Sequence, residues 1–422
     1  MSKTLKYNPY QLLIILWPVF DLLGIHVGAI SLKLTEVFIC IYGFIGIIKI
    51  LLKAKVKLIN KDYSVVIYLF LNLLLASAVT IDNWGGVNHS FAAKYLVKNT
   101  IYVIFLLGII NDQKILYTKK QIDFLARWIV ILCLICFLFN VLTGKQLYLN
   151  QLIIPKGMHI VIGPLSIVRF SATTFEPGLA ILILALPLFY FTRCYSKNKI
   201  WFFVTIILIL LSYSTSSFII VAFNFLILLF ENKKWTANKV IYLYMCFIGL
   251  IILILIVMRT PKLYDIFAYQ LNKILAFVTG GRNGSSLWTI NDRLNQYSII
   301  WRYFVSGNII NIIFGRGTGA YAKYVSELPK GVVMTTAEEG YNIYLSTLAD
   351  RGVVGVALVL LVLIYIIRCW KKSDEITNRT LLWTVLVHFL CWLTMGNYWL
   401  YTCWLTIGLY YGLNNTNNKK EK

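Results

Sequence analysis

The sequence is poor in charge. Only 14% of its 422 residues are Asp, Glu, Lys or Arg, whereas 59% are hydrophobic, and the mean hydropathy is +0.74. A soluble domain is about half apolar and about a quarter charged. Several apolar runs reach the roughly 20 residues that a helix needs to cross a bilayer core. The composition therefore excludes an ordinary soluble domain and predicts an all-α polytopic membrane protein.

Acidic residues are especially scarce: 17 stand against 40 lysines and arginines, which gives a formal net charge of +23. This excess does not indicate nucleic acid as a partner, because the basic residues cluster in the short connectors between apolar runs. That distribution is the one described by the positive-inside rule. Both tails are also basic, so we expect the N- and C-termini on the cytoplasmic side.

The apolar runs predict about 12 transmembrane helices. Their expected positions are 10–29, 34–52, 63–80, 95–111, 127–143, 175–193, 200–213, 216–230, 239–258, 352–370, 380–396 and 398–413. The seventh and eighth surround the polar run SYSTSS at 212–217, and both outer flanks of this pair are basic. Two short helices joined by a polar kink keep both flanks inside.

These spans divide the chain into three parts. Residues 1–258 hold helices 1–9 with an outer loop near 144–174, and residues 352–422 hold helices 10–12 and a cytoplasmic tail. Between them, residues 259–351 form a large extracytoplasmic loop between helices 9 and 10.

Neither a disulfide framework nor a metal site is predicted. The eight cysteines lie in or at the ends of apolar runs, where free Cys behaves as a small hydrophobe. Cys133 and Cys136 have the spacing of a redox pair, but their helix is apolar and carries no partner ligands. No His/Cys/Asp/Glu cluster has the spacing of metal ligands, so we expect no metal and no other cofactor.

The large outer loop contains an excess of arginine and lysine, where the positive-inside rule leads one to expect few. An anionic substrate at the outer face would explain the excess, because the arginine fork binds phosphate oxygens in a bidentate manner. The alternative is a solvated loop with ordinary ion pairs. The arginines considered as anion-binding candidates are Arg169, Arg282, Arg293 and Arg316.

Two short segments carry further polar groups. Glu176 precedes Pro177 at the predicted start of a helix, where a carboxylate caps the helix and Pro is well tolerated. The other interpretation is that Arg169 and Glu176 line a cavity at the membrane boundary. The turn Gly315-Arg316-Gly317-Thr-Gly lacks the strand, helix and acidic residue of a dinucleotide fold, but its backbone could cradle a phosphate.

The order of these motifs resembles the O-antigen ligase/polymerase superfamily, whose members are bacterial polytopic membrane glycosyltransferases. The resemblance rests on the Arg-Phe-…-Phe-Glu-Pro-Gly segment at 169–178 and on three motifs in the large loop. They are Arg293-Leu-Asn-Gln-Tyr, Phe314-Gly-Arg-Gly-Thr-Gly-Ala-Tyr and Tyr341-Asn-Ile-Tyr-Leu followed by Ala-Asp-Arg-Gly-Val-Val-Gly.

Two departures from the superfamily pattern favour a polymerase over a ligase. The superfamily often has His-Asn where this chain has Tyr341 and Asn342, and in ligases that histidine is the proposed general base. It also often has Ser-Arg between two short mid-chain helices, whereas the run at 212–217 has no arginine.

The resemblance implies polymerisation of undecaprenyl-diphosphate-linked repeat units into O-antigen or capsular polysaccharide at the outer face of the bacterial inner membrane. Cationic groups would hold the donor diphosphate, and a base would take the acceptor proton. We expect Glu339 to be that base, with Glu338 and Glu176 as alternatives. Tyr341, Asn342, Gly315 and Gly317 would position the substrate.

The partners that the resemblance implies are a lipid-linked glycan donor and acceptor, the bilayer, and a chain-length regulator. Two other functions stay open. One is an O-antigen ligase of the same superfamily, and the other is a flippase for lipid-linked oligosaccharides.

Overall fold

The computed structural model of the chain describes residues 17–27, 30–52, 63–111, 118–148, 151–154, 159–162, 165–171, 174, 177–212, 214–231, 259, 288–329, 340–370, 376–393 and 401–420. Most of these residues are helical. They fall into two compact units. The first comprises residues 1–132, 147–152 and 292–422, and the second comprises 133–146 and 153–291.

The first unit begins with a short helix and a hairpin. Helix α1 (Trp17–Phe20) is followed by strands β1 (Gly24–Val27) and β2 (Ile30–Lys33), which pair antiparallel. The predicted transmembrane helix over 10–29 is therefore wrong over 24–27, whereas 10–16 and 28–29 lie outside the described residues. β-Branched residues in this stretch favour extended backbone, and Asp21 pairs with Lys33 at 2.8 Å, which brings the two ends of the hairpin segment together.

Long helices make up most of the first unit. They are α2 (Leu34–Leu52), α3 (Ser64–Asp82), α4 (His89–Asn111), α5 (Lys119–Thr143), α12 (Ile343–Trp370), α13 (Ile376–Cys391) and α14 (Tyr401–Lys420), with α5 ending in the second unit. Helix α4 packs against α2, α3 and α14, and α3 also packs against α12. Glycines allow α2 and α4 to approach closely, because a Cβ at Gly46 would collide with the backbone of Gly108.

Four of the described helices are long and apolar enough to cross a membrane. They span Ser64–Asp82, His89–Asn111, Lys119–Thr143 and Ile343–Arg368. The apolar segments Gly178–Arg193 and Ile376–Cys391 are shorter. These helices agree with a multi-pass membrane protein, whereas the predicted total of 12 spans and the in/out arrangement stay predictions. The predicted span 239–258 lies outside the described residues.

Lys98 and Glu36 form an ion pair that is buried among these helices. The ammonium group of Lys98 lies 2.9 Å from Oε1 of Glu36, and the Tyr102 hydroxyl donates to the same oxygen at 2.9 Å. The backbone N–H of Lys33 donates to Oε2 of Glu36. A buried charge is tolerated only when it is paired and hydrogen-bonded in this way.

The second unit contains three further helices. They are α6 (Pro177–Arg193), α7 (Tyr195–Leu211) and α8 (Thr215–Glu231). Helix α6 packs against both α7 and α8. Helix α6 begins at Pro177, as expected from its position after Glu176. Helix α7 ends at Leu211 and α8 begins at Thr215, which confirms the predicted kink within 212–217.

The predicted outer loop near 144–174 contains short strands rather than helix. Strands β3 (Gln146–Tyr148) and β4 (Gln151–Ile153) form one hairpin, and β5 (His159–Ile162) and β6 (Leu165–Val168) form another. The all-α prediction therefore holds for the long elements and not for the connections. Runs such as His-Ile-Val-Ile are rich in β-branched residues, which favours strands over helix.

The large loop predicted over 259–351 is helical in its described part. It contains α9 (Trp288–Val305), α10 (Ile309–Phe314) and α11 (Ala320–Glu327). Within the first unit a small core joins α9, α11 and the start of α12. Its buried members are Val87, Ile299, Ile300, Tyr303, Ala320, Tyr321 and Ala349.

Candidate functional site

The glycine turn at 315–319 connects α10 to α11 and lies against α12. Gly315, Gly317 and Gly319 all have positive φ angles, of +85°, +100° and +88°, a region that glycine adopts without steric cost. The N–H of Gly317 donates to the carbonyl oxygen of Asp350 at 2.9 Å. A Cβ at Gly315 would collide with the backbone of Asp350, so this close approach requires glycine.

The turn binds an anion, and that anion is the carboxylate of Asp350. The N–H of Gly319 donates to Oδ2 of this buried residue, and the N–H of Tyr321 donates to Oδ1, both at 3.2 Å. The N–H of Thr318 donates to Oγ1 of Thr80 at 2.9 Å. Since the N–H groups of residues 315–319 all donate within the protein, the structure does not support a backbone phosphate cradle at this turn.

The side chain of Arg316 caps the end of α9. Its Nη2 donates to the carbonyl oxygen of Tyr303 and to Oγ of Ser306, both at 2.8 Å. The guanidinium carbon lies 4.2 Å from the centre of the Tyr303 ring. Burial raises the pKa of Tyr303 to about 12, although the Arg316 charge acts in the opposite direction. The phenol is therefore neutral, and Arg316 stacks on an uncharged ring.

The connection between α3 and α4, at 83–88, docks on the same turn. The side-chain amide of Asn83 donates to the carbonyl oxygen of Arg316 at 2.6 Å, and the N–H of Asn88 donates to that of Gly319 at 2.9 Å. The ammonium group of Lys323 donates to the carbonyl oxygen of Gly85 at 2.5 Å. Two segments that the charge pattern places outside the membrane thus lie together.

Tyr341 and Asn342 stand at the entry to α12. The side-chain oxygen of Asn342 accepts a hydrogen bond from the N–H of Leu345 at 3.0 Å, which is the geometry of a helix N-cap. The guanidinium of Arg293 lies 4.8 Å from the centre of the Tyr341 ring. The structure therefore brings together Arg293, Tyr341 and Asn342, which the sequence predicts as site residues.

Arg351 is buried, although it is one of the basic residues of the predicted outer loop over 259–351. Its guanidinium donates to Oδ1 of Asn72 and to Oγ1 of Thr347, both at 2.8 Å, and to the hydroxyl of Tyr95. This arginine joins α12 to α3 and α4, and its contacts are those of a structural residue.

Arg169, in the second unit, lies at the polar turn between α7 and α8. Its Nε donates to the carbonyl oxygen of Ser212 at 2.9 Å, and the adjacent N–H of Phe170 donates to that of Leu211 at 3.0 Å. The hydroxyls of Ser212 and Ser217 are 2.5 Å apart across the same turn. An arginine therefore occupies the turn in space, although the run 212–217 contains none.

Four predicted site residues lie outside the described residues. They are Glu176, Arg282, Glu338 and Glu339.

Sequence reasoning missed the role of Asp350 and the contact of Arg169 with Ser212. The only sequence signal for Asp350 is its position in the Ala-Asp-Arg-Gly segment. No local pattern predicts the Arg169 contact, because 43 residues separate the two partners.

Comparison with known protein families finds a match to the O-antigen ligase family over residues 200–360, which is less than half of the chain. A search of curated proteins found no match. The matched region covers the α7–α8 turn, the glycine turn and the entry to α12. This match supports the resemblance to the O-antigen ligase/polymerase superfamily that the sequence motifs indicate.

Proposed function

We propose that this chain polymerises undecaprenyl-diphosphate-linked oligosaccharide repeat units into O-antigen or capsular polysaccharide. It would act at the outer face of the bacterial inner membrane. The observation that carries the proposal is Arg169 at the polar turn between α7 and α8. The superfamily often has an arginine within this turn, and here another segment supplies it. This contact supports chemistry of the superfamily's kind, whereas our preference for a polymerase over a ligase rests on Tyr341 in the place of the ligase histidine.

The chemistry needs a cation at the leaving group. As the bond between the anomeric carbon and the donor diphosphate breaks, negative charge grows on the phosphate oxygens, and a preorganised guanidinium stabilises it. We assign this role to Arg169, and the sequence motifs offer Arg293, Arg316 and Arg282 as other candidates for binding diphosphate.

The reaction also needs a base for the acceptor hydroxyl. We assign it to Glu339, with Glu338 and Glu176 as alternatives. Tyr341 stands where ligases have their proposed histidine base, and its ring is engaged by Arg293. The tyrosine in place of that histidine favours a polymerase over a ligase.

Purified protein mixed with lipid-linked repeat units in detergent tests the proposal. A ladder of lengthening glycans supports a polymerase. A single transfer to a different acceptor, with no ladder, would instead indicate a ligase. If no glycan is transferred at all, both enzyme functions are refuted and transport is the remaining alternative. A flippase would show no activity in this assay, because detergent abolishes the two compartments between which it transports.

Substitution of the arginines and the base tests the residue assignments. We expect Arg169→Ala and Arg316→Ala to abolish the ladder while the protein is still made and inserted, and Glu339→Gln to do the same. Arg302→Ala is the matched control, because Arg302 is an exposed arginine of the same loop. Normal ladders from the Arg169 and Arg316 variants would refute the diphosphate assignment, and a normal ladder from Glu339→Gln would refute the base.

A further inference from the structure

The connection between α3 and α4 carries an exposed aromatic pair with no role in the function proposed above. The rings of Trp84 and His89 are stacked, with centroids 4.3 Å apart and an angle of 17° between their planes. Both side chains are exposed, and 53% of the Trp84 surface is accessible. Trp84 lies beyond the end of α3, so its exposure is not that of a side chain on an apolar transmembrane helix.

A hydrogen bond determines which nitrogen of the neutral His89 ring carries the proton. Its Nε2 lies 2.9 Å from the carbonyl oxygen of Trp84. A carbonyl oxygen can only accept, so Nε2 carries a proton, and in the neutral ring Nδ1 then presents a lone pair. The pair therefore offers a flat aromatic surface beside a hydrogen-bond acceptor, and the backbone of Trp84 orients both.

The pair is held beside the glycine turn. Asn83, Gly85 and Asn88 all bond to residues 316–323, as described above. The side chain of Asn88 also caps α4, because its Oδ1 accepts a hydrogen bond from the N–H of Phe91 at 3.1 Å. Anchors on both sides of the pair make it a preorganised surface.

We propose that Trp84 and His89 form a saccharide-binding subsite, outside the region of the family match. His89 covers one face of the Trp84 indole. The apolar C–H face of one pyranose ring would lie on the other face of the indole, while a hydroxyl of a neighbouring sugar of the oligosaccharide would donate to Nδ1 of His89. The ligand class rests on the proposed function, which brings the glycan of a lipid-linked repeat unit to this face. That glycan belongs either to the donor or to the acceptor.

Ligand-observed NMR on the full-length protein in detergent tests the subsite. The probe is the oligosaccharide released by mild acid from the lipid-linked repeat unit. We expect Trp84→Leu to weaken binding about tenfold, because one stacking partner is lost. Trp84→Phe should retain part of the affinity. His89→Gln keeps an N–H for the Trp84 carbonyl and lacks the ring acceptor. Its affinity for the oligosaccharide should lie between those of Trp84→Leu and Trp84→Phe.

Trp301→Leu is the matched control. Trp301 is 51% exposed and lies on α9, away from the pair in sequence, so its loss should leave binding unchanged. If Trp84 only anchors the protein at the membrane interface, as tryptophans often do, both leucine variants will bind the oligosaccharide like the wild type. That result, or a wild-type protein that does not bind the oligosaccharide, overturns the subsite.

The polymerisation assay separates the subsite from the proposed function. Wild-type protein that binds the oligosaccharide but makes no ladder refutes the polymerase and leaves the subsite standing. If a ladder forms, varying the donor and the acceptor separately shows for which of them Trp84→Leu raises KM, and this identifies the source of the glycan.

Discussion

Asp350 illustrates how a single side chain can change the meaning of a motif. A glycine-rich turn with an arginine at its centre predicts a site for an external anion. In the structure the amide protons of Gly319 and Tyr321 point at the Asp350 carboxylate instead. The turn therefore stabilises the junction between α11 and α12, and any diphosphate contact must come from side chains.

Replacing Asp350 by Asn should destabilise this junction. One carboxylate oxygen would become an amide that donates, and it would face an N–H that also donates. The loss of one buried hydrogen bond costs about 1–3 kcal/mol, so we expect a lower midpoint of thermal unfolding in detergent.

The matched control for this prediction is Glu327→Gln. The Glu327 side chain is 63% exposed and forms a loose pair with Lys323 at 3.9 Å, an interaction of little energetic value. Its loss should leave the midpoint unchanged. Equal midpoints for Asp350→Asn and the wild type would show that the carboxylate does not hold the turn.

Residues whose role depends on near neighbours were predictable from the sequence. Pro177 begins α6, as its position after Glu176 predicts from local backbone rules. The partners of Arg169 and Arg316 were not predictable, since each arginine reaches a backbone carbonyl on a different element. Carbonyl groups are present at every residue, so sequence alone gives no signal for which one is used.

In helix α12 as well, the sequence predicts what depends on local composition and misses what depends on packing against distant residues. The sequence predicts a span that begins near 352, whereas the helix begins at Ile343 and is broken at Gly352, where φ is +64°. The break admits α10, because the backbone of Ile313 and Gly315 lies against Gly352. Hydropathy detects the apolar part of the helix, but it does not detect a polar first segment packed in the outer loop.

Gly352→Ala should disrupt this arrangement. At φ +64° and ψ −167° the backbone of residue 352 lies in a region that essentially only glycine adopts, and holding another residue there costs about 1–3 kcal/mol. The new Cβ would also collide with the Ile313 carbonyl group. We expect a clear drop in the thermal midpoint and in polymer production. Gly85→Ala is the control, because a Cβ at Gly85 would meet nothing within 4 Å. A Gly352→Ala protein as stable as the Gly85→Ala protein would contradict the proposed role of the break.

The predicted membrane orientation of the whole chain can be tested by cysteine labelling. In a variant without native cysteines, single cysteines would replace Gly85, Glu327 and Lys120. The first two lie in segments joined by the Lys323 hydrogen bond, and Lys120 belongs to a basic cluster that the charge rule places inside.

A membrane-impermeant thiol reagent added to intact cells should label the cysteines at 85 and 327. The cysteine at 120 should react only after the membrane is permeabilised. Labelling of position 120 on intact cells, or protection of the other two, would overturn the predicted orientation.

Composition and order along the chain were enough to indicate a multi-pass membrane protein and a resemblance to the O-antigen ligase/polymerase superfamily, because hydropathy and short motifs are local properties. They were also enough to locate the kink between α7 and α8. The choice of anion at the glycine turn, the placing of Arg169 at the kink and the pairing of Lys98 with Glu36 came from the folded structure. Each depends on groups that are far apart in the chain and meet only when helices pack, and that is information a linear pattern does not contain.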